Sequence, residues 1–236
     1  MSEEYLDKQD NGSLVNFERW MGRTGLSLVP PTMSANQVTL ISGGCGMLAG
    51  LAFYLASFSQ VWFVFAGILT LMHWAADNID GHVARSRNQC SQAGRFLDIF
   101  LDAVTFAALG VGLAFADYTI FPIVAVATVL CLLQYVLTVL WIAMTRIWPF
   151  PAFGPAEASL TLIILSVLML FLPRELFVLW GRGFSLIDVA FALTIPSSLV
   201  TLFMSALALF KHLQRETVES TANEASVTAT QSTGPR

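Results

Sequence analysis

Four aspartates stand in two pairs inside an otherwise apolar stretch: Asp77 and Asp80 are three residues apart, Asp98 and Asp102 four apart. On a helix each spacing puts both carboxylates on one face. The polar loop from Ser86 to Gln92 separates the pairs. It would let the two helices pack antiparallel with all four acids converging. Clustered carboxylates in an apolar surround repel one another and resist desolvation, at a cost on the order of 3 kcal/mol for each acid at bilayer depth. The remedies are protonation or a divalent cation. Carboxylate oxygens are what Mg²⁺ prefers, and four acids suffice for two metals about 4 Å apart, the arrangement that clamps both oxygens of a phosphoryl transfer. The neighbours fit an anionic ligand. Gly81 and Ala84 leave room for close approach, Arg85 offers a guanidinium fork that matches phosphate, and Gly94 opens the next helix, where free N–H groups favour anions. The pattern predicts a pocket for diphosphate plus metal.

The elements that carry this pattern are predicted to be membrane helices. Hydrophobic residues make up 56% of the 236 and charged residues 12%, about half the charge of a soluble domain. Six apolar stretches, near 38–57, 61–84, 95–115, 119–145, 157–173 and 187–210, are each about long enough to cross a bilayer core. Lipid leaves backbone groups no partner but the segment itself, so these are expected to be helices. The expected fold is an all-α integral membrane protein of six transmembrane helices. A short helix near 14–28, with Phe17, Trp20 and Met21 among Arg19 and Arg23, should lie in the membrane interface. The domain reading is a disordered N-terminus at 1–12, a membrane domain at 13–215 and a disordered tail at 216–236. Pro122, Pro149, Pro151, Pro155 and Pro173 fall near span ends, and Pro196 inside the last span should kink it.

Charge gives the orientation. With the N-terminus inside, Lys8, Arg19, Arg23, Arg85, Arg87, Arg95, Arg146, Lys211 and Arg215 lie on the inner side, and only Arg174 and Arg182 on the outer loops. That is the cytoplasmic excess of the positive-inside rule. Both termini and the aspartates are therefore expected to face the cytoplasm. Cys45, Cys90 and Cys131 form no Cys-x-x-Cys spacing, which argues against zinc or a disulfide framework.

The run from Asp77 to Asp102 resembles the signature of the CDP-alcohol phosphotransferases, D-x2-D-G-x2-A-R-x8-G-x3-D-x3-D. All eight fixed positions are present: Asp77, Asp80, Gly81, Ala84, Arg85, Gly94, Asp98 and Asp102. The resemblance covers about residues 30–210 and includes the six-span layout. It implies a metal-dependent enzyme of phospholipid biosynthesis that moves a phospho-alcohol or phosphatidyl group from a CDP-linked donor to an alcohol, releasing CMP. It implies Mg²⁺ or Mn²⁺, two per site, on Asp77, Asp80, Asp98 and Asp102, with Asp102 also the general base. Gly81, Ala84, Arg85, Gly94 and the hydroxyl of Ser91 would meet the CDP moiety. The family opens its first span with a Pro-Asn-x-x-Thr-like stretch near the nucleotide; here Ala35 replaces the proline before Asn36 and Thr39. Asn36 either contacts nucleotide or caps the first span's helix.

Other residues carry weaker signals. His73 reads as a packed interhelical histidine or a pocket residue, His82 as facing the cytoplasm, and Glu157 as a helix-start acid or a partner for a cationic head group. The expected partners are the CDP-linked donor, an alcohol or lipid acceptor and membrane lipid, with no nucleic acid; a homodimer stays open. An intramembrane metal-ion transporter is the alternative, since buried acids also mark ion paths. Head-group choice among glycerol phosphate, inositol phosphate, serine and choline or ethanolamine is not fixed. Ala103, where an inositol phosphate enzyme would have arginine, speaks against that branch.

Overall fold

The structure is a computed structural model that describes residues 13–145 and 155–232. The expectations for residues 1–12, Arg146, Pro149 and Pro151 lie outside the described residues. Seven helices account for most of the chain: α1 Ser13–Gly25, α2 Ala35–Leu55, α3 Trp62–Ser86, α4 Gln92–Ala114, α5 Phe121–Thr145, α6 Pro155–Leu168 and α7 Leu186–Ser232. Each of the six apolar stretches falls on one helix from α2 to α7. Among the described residues, four helices are long and apolar enough to cross a membrane, at Ala35–Leu55, Gln92–Ala114, Phe121–Thr145 and Leu186–Arg215. α3 is as long as α5, but its last third holds Asp77, Asp80, His82 and Arg85 and is correspondingly polar. α6 is apolar and shorter, ending at Leu168.

Beside the helices of this all-α fold stands one short hairpin, in which β1 Phe177–Leu179 pairs antiparallel with β2 Arg182–Phe184. Trp180 and Gly181 at the tip both take positive φ, 51° and 74°, as a tight two-residue hairpin turn requires. The helical backbone of α7 runs to Ser232. α7 continues through Pro196 as helix.

The closest packing is of α2 against α3 and of α2 against α4; α3 and α4 hardly approach each other at backbone level. The antiparallel α3–α4 pair expected from the loop is thus replaced by two helices that share α2 as their floor. Small residues on α2 make this possible. A Cβ on Gly50 would strike the Ala108 backbone, and one on Gly112 would strike the backbone of Gly50. Such close approach is how membrane helices gain packing energy where no hydrophobic driving force exists between them. On the other face of α2, Ser42 Oγ lies 2.9 Å from His73 Nδ1 and donates to the His73 carbonyl at 3.0 Å. His73 is thereby a buried interhelical group.

The main core lies at the end of the bundle away from the aspartates. There Phe53, Phe63, Leu113, Tyr118, Met169 and Ile187 are buried together. The aspartate end has only a small cluster of Ala35, Val38 and Val83, with Ala76, Ile79 and Ala84 against it. α1 packs on α3 at that end. The Trp74 indole N–H donates to Glu18 Oε1 at 3.1 Å, and Gly22 leaves space for the His82 ring. His82 therefore meets α1.

Candidate active site

The loop between α3 and α4 is tied to the start of α2, which fixes where both aspartate-bearing helices stand. Arg87 donates to the carbonyls of Met33 and, at 3.0 Å, Val29. Gln89 Oε1 accepts from the Ala35 N–H at 2.8 Å, using one of the donors a helix start leaves open. Asn88 turns the chain with φ 54°, and the Gln89 N–H closes on the Ala84 carbonyl at 2.8 Å. Ser34, not Asn36, caps α2. Its hydroxyl accepts from Gln37 N–H at 3.3 Å while Gln37 Oε1 accepts from Ser34 N–H at 2.8 Å, a reciprocal capping box.

Asn36, released from capping, lies beside the start of α4. A Cβ on Gly94 would sit 3.0 Å from Asn36 Oδ1 and 3.1 Å from Ser91 Oγ, so glycine is what lets these groups meet. Ser91 caps α4, its hydroxyl accepting from Gly94 N–H at 3.0 Å. Asn36, Ser91 and Gly94 therefore form one edge of the site. Arg85 forms part of another: a Cβ on Gly81 would lie 3.4 Å from its Nη1, so the guanidinium lies back across Gly81. Ala84 is a packing residue of the small core cluster.

Three of the four carboxylates converge. Asp77, Asp98 and Asp102 each offer an oxygen, and these atoms all lie within 4.8 Å of one another. Asp80 is turned toward α2 instead. Three residues on a helix span 300°, so Asp80 stands about 60° from Asp77 around the axis, enough to bring it to Thr39. The Thr39 hydroxyl donates to Asp80 Oδ2 at 2.7 Å, and Asp80 is 6% exposed. Thr39, expected at nucleotide, is in this structure the partner of a carboxylate. The donor set of the three converged acids fits a hard divalent cation: all ligand atoms are oxygen and they come from two helices held at a fixed separation.

Sequence reasoning missed Tyr135. Its hydroxyl reaches across from α5, 3.0 Å from the Ile99 carbonyl and 3.5 Å from Asp102 Oδ2. The only sequence signal was that Gln134 and Tyr135 interrupt an apolar run. Gln89 and Arg87 were also missed, as ordinary loop residues with no periodicity to mark them. Glu157 stands in the first turn of α6.

The sequence profile of the CDP-alcohol phosphatidyltransferase family matches residues 32–212. Three solved structures of the phosphatidylinositol phosphate synthase of Mycobacterium tuberculosis share the fold. The form with CDP-DAG bound has a TM-score of 0.58 at 14% identity over 83% of this chain and 94% of that one. The apo form has a TM-score of 0.58 at 15% identity over 80% and 94%. The complex with manganese and citrate has 0.55 at 16% identity over 84% and 88%. No curated protein sequence matches this chain. The chain belongs to the CDP-alcohol phosphatidyltransferase family, and is thus a membrane-associated transferase of substituted phosphate groups in phospholipid metabolism.

Proposed function

We propose that this member of the family transfers a phospho-alcohol or phosphatidyl group from a CDP-linked donor to an alcohol, with release of CMP, at the cleft between α3 and α4. The observation that carries the reading is the convergence of Asp77, Asp98 and Asp102 within 4.8 Å, from two helices that stand apart over α2. The intact eight-residue signature supports it. So does the M. tuberculosis synthase, whose structures hold CDP-DAG in one case and manganese in another.

Asp77, Asp98 and Asp102 would hold Mg²⁺ or Mn²⁺, with Asp80 assigned to the same group and two ions as the proposed count. Bound there, divalent metal supplies charge neutralisation for the diphosphate and for the departing phosphate oxygen of CMP. The chain's own residues do the rest. Arg85 pairs with a phosphate oxygen through its guanidinium. Asn36, Ser91 and the N–H groups opening α4 form the nucleotide edge. Asp102 takes the proton of the acceptor hydroxyl as that oxygen attacks the phosphorus distal to cytidine; the new P–O bond forms as the bond to the CMP oxygen breaks. Thr39 keeps Asp80 turned toward α2 by donating to it, and Tyr135 stands beside the acceptor-side carboxylate of Asp102. Positioning and electrostatics carry most of the rate in such transfers.

The surrounding arrangement belongs to the same proposal. All of α2 to α7 cross the membrane, α1 lies in the interface, and both termini and the aspartate end face the cytoplasm, where CDP-linked donors are made. The acidic end of α3 still spans because its carboxylates turn into the cleft and not toward lipid. The residues at 13–215 form the catalytic domain. The test is CMP release by the purified protein against CDP-diacylglycerol, CDP-choline and CDP-ethanolamine paired with glycerol phosphate, inositol phosphate, serine and diacylglycerol. One donor–acceptor pair should give saturable CMP release. Failure of every pair, with metal present, would reject the transferase reading.

A further inference from the structure

A cavity of about 370 Å³ opens between α5 and α7, lined by Trp141, Ala208, Lys211, His212 and Arg215. That volume lies in the range of pockets that hold small organic groups. The four α7 residues are spaced i, i+3, i+4 and i+7, so they form one stripe on that helix, and α5 and α7 pack together. Two cations, Lys211 and Arg215, stand at its rim, both exposed. Inside, the Trp141 indole Nε1 is buried and has no hydrogen-bond partner among the described residues. A buried N–H left unmet costs stability, and an indole carries only a donor, so the group that meets it must be an acceptor. Cations and an orphan donor around one space select an anion with several acceptor oxygens, which is the chemistry of phosphate.

The body of the ligand can also be read. Both walls belong to helices long and apolar enough to span a membrane. Trp141 and Ala208 are the apolar part of the lining, and Met144, Leu207 and Phe210 nearby on the same two helices are exposed. A molecule with an anionic group and an apolar body suits this lining. Tryptophan and basic residues at one depth are the pattern of a membrane–water interface.

We propose that the α5–α7 cavity binds the phosphate of an anionic phospholipid, with Lys211 and Arg215 on the phosphate oxygens, the Trp141 N–H donating to one of them, and the acyl chains running along α5 and α7 toward the bilayer. None of these residues has a part in the transfer mechanism above. The inference rests on α5 and α7 spanning a membrane and not on the identity of the reaction.

Native mass spectrometry of the whole protein in detergent tests it, with phosphatidylglycerol and phosphatidylcholine offered at equal concentration. The wild type should retain one phosphatidylglycerol with at least tenfold preference. K211A/R215A should lose the preference, K211R/R215K should restore it, and R182A, a charge removed from the β-hairpin, should leave it unchanged. Trp141→Phe should weaken retention a few fold. Equal Tm in detergent for the variants shows that folding is not what changed. Inorganic phosphate is the second arm: displacement of the lipid by millimolar phosphate supports the same site, and a rise in Tm with phosphate but no lipid preference reassigns it to a soluble phosphate ester and overturns the lipid proposal. Equal retention of both lipids by wild type and K211A/R215A, with no response to phosphate, overturns the site altogether.

Discussion

Both ends of this helical bundle bury acidic residues, and they do so in opposite ways. At the end away from the signature, Asp188 and Asp117 have donors from their own chain. Asp188 is fully buried and accepts from Ile120 N–H at 2.6 Å, Ser185 N–H at 2.9 Å and Ser185 Oγ at 2.8 Å. Asp117 pairs with Arg174 at 3.3 Å, and Arg174 also donates to the Ala56 carbonyl at 3.0 Å. The Tyr118 hydroxyl donates to the Phe53 carbonyl at 2.6 Å, over the largest apolar cluster of the molecule. At the signature end, three carboxylates face one another, and the donors seen are Thr39 on Asp80 and a long contact from Tyr135 to Asp102. A buried acid met by N–H and O–H groups holds a fold together. Acids gathered with other acids present a set of hard oxygen ligands, and that is a site.

The sharpest way to break the comparison is to remove one converged acid. Asp98→Asn should lower turnover by about 10³-fold or more, since a metal ligand and a charge go together. Its Tm in chelator should stay level or rise, because like-charge repulsion is relieved; a lower Tm would make Asp98 a structural acid like Asp188. Asp102→Asn comes next. It keeps shape and one ligating oxygen but cannot take the proton, so turnover should fall by about 10²- to 10⁴-fold while CDP-donor affinity is largely kept. Turnover near wild type would place the base elsewhere.

The opposite end should answer in stability and not in rate. Asp188→Ala strands three buried or half-buried donors, at a cost on the order of 3 kcal/mol by denaturant or thermal unfolding in detergent. CMP release per folded molecule should be unchanged. A loss of rate without a loss of stability would erase the distinction between the ends. The smallest effect is expected at Tyr135→Phe. Its hydroxyl is closer to the Ile99 carbonyl than to Asp102, and a contact at 3.5 Å is weak. Turnover should fall by roughly two- to tenfold with donor KM unchanged.

Much of this was legible in the sequence because it depends on local spacing. The pairs Asp77/Asp80 and Asp98/Asp102, the small and basic residues around them, and six apolar runs on six helices are all periodic signals. What was not legible depends on which helix lies behind which. Nothing in the spacing of Asp80 says that Thr39 stands 2.7 Å away, forty-one positions earlier. The loop suggested that α3 packs on α4, but Gly50 against Gly112 lets α2 come between them, and the cleft exists because of that. Asn36 was read as a possible cap of α2, but the Gln37 side chain answers Ser34. Tyr135 met Asp102 through packing of α4 on α5, which no single-helix pattern encodes. The hairpin at Phe177–Phe184 was passed over because three-residue strands leave almost no alternation to read.

The central claim is that the converged carboxylates hold the metal on which transfer depends. The most direct measurement is a Mn²⁺ titration of metal-stripped protein followed by electron paramagnetic resonance, with CMP release read from the same samples. The account predicts that bound Mn²⁺ and CMP release rise together, and that both are lost in Asp98→Asn and kept in Asp117→Asn. Undiminished CMP release from stripped protein, or Mn²⁺ bound as tightly by Asp98→Asn as by wild type, would contradict it.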